Sequence, residues 1–232
     1  MRPFKSFGQL GDPEYHDGVI YVPLEQGPPS IGALDADLNE LGVAPIPGAA
    51  QAAWCAVHPE SGRLCTSDSN PKVLRVYKIH WDGGFWLERE LDVPLRLDGN
   101  WGPRLAVGTP IPGLQGGAFG PGGILYLISD VYEPHYPVAP YAGGILGVVA
   151  ETGVPVAGHQ IPYSMYVIDP SGCDLADTLG DAGSCRNEEL EGVTFWDLGD
   201  GRAPGIRGNL HVMQVDNFPS RSYWFKHYQV GD

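Results

Sequence analysis

Positive charge is scarce in this chain: 14 lysines and arginines stand against 28 aspartates and glutamates, a formal net charge of −14 over 232 residues. Nucleic-acid affinity comes chiefly from Lys and Arg contacts to phosphate and the counterions they release, so this balance argues against a nucleic-acid partner. An anionic membrane surface is disfavoured on the same ground. No run approaches the ~18 uninterrupted apolar residues of a transmembrane helix, which argues against membrane insertion. Arg2 and Lys5 are followed by no apolar h-region, so no secretory leader is legible. The signature motifs of several enzyme classes are also missing. There is no GxSxG elbow, no HExxH, no Walker loop and no GxGxxG after a strand, which disfavours α/β serine hydrolases, zincins, P-loop NTPases and Rossmann enzymes. The four cysteines form no CxxC, and the seven histidines, at 16, 58, 80, 135, 159, 211 and 227, fall at no ligand spacing.

Turn residues are abundant instead. With 33 glycines and 22 prolines, about a quarter of the chain is Gly or Pro, yet 43% hydrophobic content and six tryptophans imply a packed core. Internal repetition organises the chain. GDPEYHDGVIYVPLE from Gly11, AAWCAVHPESGRLCTSD from Ala52, LQGGAFGPGGILYLISD from Leu114, and LEGVTFWDL from Leu190 with GNLHVMQVD ending at Asp216 align as four copies of one unit. Each reads as a short strand, a Gly-containing turn and an alternating strand that closes on an acid: Glu25, Asp68, Asp130 or Asp216. A third strand follows each copy, from Ser30, Val73, Ser164 and Ser222, and in one copy a fourth from Phe85. Short strands at this spacing with no sustained helical period predict an all-β fold, a β-propeller of four-stranded antiparallel blades, with units at about 11–50, 51–100, 113–180 and 188–232 in a single domain. A β-sandwich is the alternative. Four blades are visible, and a ring of five or six would need blades too degenerate to read.

GLQGGAFGPGGILYLISD and EELEGVTFWD resemble the blades of extracellular propellers of the NHL, gluconolactonase and phytase-like type. That resemblance extends more weakly to the other two units. It implies the fold, and a superfamily that holds calcium-dependent phytases, lactonases and non-enzymatic binding proteins.

The alignment also carries a geometric expectation. If the second strand returns antiparallel to the first, the start of one and the end of the other share a face of the disc. Asp12, Ala53, Gln115 and Glu191 start the innermost strands, and the four acids end the second ones, so one mouth of the channel should be lined by carboxylates. Crowded carboxylates repel unless protonated or neutralised, and hard oxygen donors suit Ca²⁺. A calcium site using Glu191, Asp12, Gln115 and Asp130 is therefore expected, set against the plainer reading that strand-end acids accept hydrogen bonds from their own turns. In a hydrolase, calcium held by Glu191 and Asp12 would polarise the bond while a neighbouring carboxylate or His16 acts as base, although His16 aligns with Phe119 and Phe195 and reads first as a packed histidine. His58 and Glu60 fall in a surface turn. The long stretch from Val131 to Pro162 leaves the acidic face with Tyr132, His135, Tyr136 and Tyr141, residues suited to stack on a sugar or to pack the loop down.

Cys55 and Cys65 flank the PESG turn, and a register placing Val57 opposite Arg63 sets Cys55 opposite Cys65, within reach of a disulfide. Cys173 and Cys185 bracket a polar loop and form the second expected bridge, with buried free thiols as the alternative for all four. Two disulfides would place the protein outside the cell or in a periplasm. Two functions follow: a secreted calcium-dependent hydrolase of ester, lactone or phosphate bonds, or a non-enzymatic module that binds a small molecule, carbohydrate or protein.

Overall fold

A computed structural model of the chain describes residues 9–69, 71–95, 113–129, 143–163, 188–198, 202–216 and 222–231. Among the described residues fifteen strands build four antiparallel sheets in chain order. Blade 1 runs β1 (Glu14–His16), β2 (Val19–Leu24), β3 (Ser30–Leu34) and β4 (Glu40–Pro45). Blade 2 runs β5 (Ala56–Val57), β6 (Leu64–Thr66), β7 (Val73–His80) and β8 (Trp86–Pro94). Blade 3 holds β9 (Leu114–Phe119), β10 (Ile124–Ser129), β11 (Gly143–Val149) and β12 (Val154–Tyr163). Blade 4 contributes three described strands, β13 (Glu188–Phe195), β14 (Leu210–Asp216) and β15 (Ser222–Tyr228). The architecture is a four-bladed β-propeller.

Period-two side chains make the ring. On β10, Leu125 and Leu127 enter the cluster shared with blade 2, through Trp54, Leu74 and Val76. Their neighbours Tyr126 and Ile128 enter the cluster shared with blade 4, through Leu190, Val193, Leu210 and Val212. A strand buried on both faces reads as a continuous apolar run, which is why ILYLIS lacks the polar alternation of a half-exposed sheet. The turn before it is built by GPGG: Pro121 opens a 3₁₀ turn, and Gly122 and Gly123 take φ of 66° and 73°, conformations closed to most side chains.

Two expectations change. The third strand of blade 3 is GGILGVV, inside the stretch from Val131 to Pro162, with β12 after it; the strand expected from Ser164 lies outside the described residues. The disulfide between Cys55 and Cys65 does not form. Four residues, 59–62, separate His58 from its partner Arg63, whose carbonyl accepts the His58 N–H at 2.8 Å. Ala56 therefore pairs with Cys65, and Val57 with Leu64. This one-residue shift turns the two thiols to opposite faces of the sheet. Cys55 packs toward blade 1 beside Tyr21 and Tyr77, and Cys65 toward blade 3 beside Leu125. Both are free and buried. Cys173 and Cys185 lie outside the described residues.

Candidate functional site

The centre of the disc is occupied by Asp12. Its backbone joins blade 1 to blade 2, the N–H donating to Ala53 O at 2.9 Å and the carbonyl accepting from Cys55 N at 3.4 Å. Its Oδ2 accepts the backbone N–H of Gly117 on β9 and of Val193 on β13, each at 3.2 Å. Innermost strands are sheet edges with N–H groups lacking a strand partner, and one carboxylate oxygen satisfies two of them from different blades. Asp12 thus touches all four blades. Burial pushes its carboxyl well above the usual range, the Val193 and Gly117 N–H groups offset part of that, and the nearby charges of Glu14 and Glu191 push it further. Glu14 is itself raised to about 7 by burial, although the N–H groups of Tyr15 and Val57 donate to it. Burial also raises the Cys55 thiol, with Glu14 and Asp12 adding to the effect.

Of the expected channel acids, Asp12 and Glu191 lie near one another. Gln115 is half-buried on β9, near the start of an inner strand. Other acids serve their own turns. Asp68 accepts from Ala50 N, Gln51 N and Arg75 Nη2, the last at 2.6 Å, and these partners outweigh partial burial to lower its pKa. Glu25 accepts from Gln9 Nε2 at 3.0 Å. Among the described residues no group of three His, Cys, Asp or Glu side chains is placed to hold a metal ion. His16 lies four residues past Asp12, roughly 13 Å along an extended strand, beside Gly62 in the β5–β6 turn. Glu191 is at the Asp12 level, so these two do not converge. His58 caps its turn, Nδ1 accepting from Glu60 N at 3.2 Å and Ser61 N at 3.3 Å. Asp130, Tyr132, His135, Tyr136 and Tyr141 lie outside the described residues, as does the side chain of Asp216.

Sequence reasoning passed over the β7–β8 hairpin, HWDGGFW. Gly83 and Gly84 make its turn with φ of 77° and 125°, and this places His80 directly opposite Trp86. The two rings stack, centroids 3.9 Å apart and 5° from parallel. His80 Nε2 meets Glu88 Oε2 at 2.8 Å, and its Nδ1 lies 3.6 Å from Asp82 Oδ1. Trp81 stacks on Phe85 at 4.9 Å. Both indoles remain open to solvent, Trp81 at 44% and Trp86 at 41% exposure. Two tryptophans bracketing a Gly-Gly turn were the available signal.

No family model matches this chain, and no curated protein does. Among solved structures it is similar to the hydrazine synthase of Kuenenia stuttgartiensis, at 12% identity over 97% of this chain and 68% of that one, with a TM-score of 0.39. A likeness that slight supports no inference about activity. Among the described residues no helix is long and apolar enough to cross a membrane.

Proposed function

We propose that the protein is a non-enzymatic binding propeller that recognises carbohydrate on the β7–β8 hairpin of blade 2. The observation that carries this reading is the two half-exposed indoles, one on each face of the hairpin and each backed by a second ring, with the carboxylates of Asp82 and Glu88 on the His80 ring behind Trp86. An indole held from behind loses little side-chain entropy on binding, and its free face suits the C–H face of a pyranose, while carboxylates accept sugar hydroxyls. The charge lining fits a neutral sugar better than a phosphorylated one, because the basic groups on that face are already matched by carboxylates: His80 meets Glu88 and Asp82, and Lys78 is paired across the strands with Glu88. Export to an extracellular or periplasmic space belongs to this reading.

Screening the chain against neutral oligosaccharides of glucose, galactose and mannose tests it. Binding by at least one class is expected, with Trp86→Ala or Trp81→Ala weakening it about tenfold or more. A complete absence of binding, or binding indifferent to both substitutions, would sink it. Calcium at the channel mouth with ester, lactone or phosphate hydrolysis is the alternative; a calcium-dependent rise in melting temperature that Glu191→Gln removes would favour it. That reading asks more of the channel, because Asp12 Oδ2 already accepts from two backbone N–H groups and His16 stands away from Glu191.

A further inference from the structure

A second recessed place lies on blade 3. Tyr126 on β10 and His159 on β12 are separated by β11, yet the Tyr126 hydroxyl sits 2.5 Å from His159 Nδ1. The residue of β11 paired with Tyr126 is Gly147. A Cβ there would come within 2.7 Å of the His159 Cβ and 3.2 Å of Ile124 Cγ2, so only glycine lets the two side chains meet across the middle strand. The register of β12 also shifts beside this point, where Gly158 takes a φ of 80° just before His159. The two rings border a cleft of about 200 Å³, walled further by Ile145, Gln229 and Val230. The far wall is pinned by Asn209, whose side chain donates to Val230 O at 2.9 Å and accepts Val230 N–H at 3.0 Å.

The chemistry of the cleft follows from the buried phenol. Tyr126 is 1% exposed, and a buried hydroxyl proton needs an acceptor. With the phenol donating to Nδ1, the neutral imidazole carries its proton on Nε2. That Nε2–H meets no protein acceptor among the described residues and is left to donate. Ile145 and Val230 offer apolar wall, and the Gln229 amide can accept as well as donate. Among the described residues no charged side chain lines the cleft, so a cation finds no counter-charge among them, and the chain's net charge of −14 sets an unfavourable field for an anion.

We infer that this cleft binds a small neutral amide, its carbonyl oxygen on His159 Nε2, its N–H on Gln229, and its aliphatic part against Ile145 and Val230. The site is separate from the blade 2 hairpin and does not depend on the reading given to it. The probe is δ-valerolactam, titrated into the full chain and followed by NMR at the Ile145 methyls and the His159 ring, with cyclohexane and isobutyrate as controls. Saturable shifts at both residues are expected from the lactam alone. Tyr126→Phe, which keeps the ring packing but frees the imidazole to change tautomer, should weaken binding about tenfold, and His159→Leu should abolish it. The inference is overturned by unsaturable shifts, by an equal response to cyclohexane, by tighter binding of isobutyrate, or by lactam binding that neither substitution weakens.

Discussion

At the scale of single residues, Asp12 and Glu14 make opposite kinds of contribution. Asp12 is costly to bury but holds inner-strand N–H groups of two other blades. Asp12→Ala strands those donors in the core and is expected to cost about 2–4 kcal/mol in chemical unfolding. Asp12→Asn keeps one oxygen for both donors and sheds the buried charge, so it should cost far less; equal losses from the two variants would contradict the hydrogen-bond account. Glu14 has a raised pKa, about 7 in the fold against roughly 4.3 in an unfolded chain. A carboxyl shifted upward contributes stability that is fully present below its unfolded pKa and is lost as pH rises through the folded one. Between about pH 4.5 and 7, then, Glu14 ionisation weakens the fold increasingly. Glu14→Gln retains an acceptor for Tyr15 and Val57 N–H without the charge, so it should stabilise the protein at pH 8 by on the order of 1–3 kcal/mol and change it little at pH 4.5. His227, lowered by burial and by His211, works in the opposite direction as pH falls, which is why the comparison is made between variant and parent at each pH.

At the scale of elements, the innermost strands approach one another closely enough to dictate composition. A Cβ on Gly117 would lie 2.5 Å from two ring carbons of Trp54, and Trp54 is fully buried with its indole N–H on Ser67 Oγ at 2.9 Å. Gly117→Ala is therefore expected to destabilise the junction of blades 2 and 3 by about 1–3 kcal/mol, read as a lower denaturant midpoint with unchanged m-value. The same strands show what could be read from the chain. VLRVYKIH and ILYLIS announced themselves as strands because β-branched and aromatic residues run between Gly and Pro turns, and the recurrence of the unit predicted the blades. The β5–β6 register could not be read with the same security. A shift of one residue reverses every side chain after the turn, and the four-residue PESG turn at 59–62 sets His58 against Arg63 and so Val57 against Leu64, a register that pairing Val57 with Arg63 misplaces by one. The role of Asp12 was hidden for a related reason: its partners are backbone N–H groups about 100 and 180 residues away, which no side-chain pattern records.

At the scale of the whole molecule, the disc has unlike faces. Acids gather where the inner strands begin, while the opposite face presents the hairpin tips, among them the Trp81 and Trp86 rings. The core between blades 1 and 2 holds that hairpin through Phe85 and Leu87, so a ligand would meet a surface already formed. The six tryptophans make the central claim directly measurable, because each carries an indole N–H visible by NMR. On adding the oligosaccharide bound best in the screen, the Trp81 and Trp86 indole signals should shift saturably, while that of buried Trp54 stays in place. Saturable shifts that bypass Trp81 and Trp86, or no shift at saturating sugar, would contradict the account.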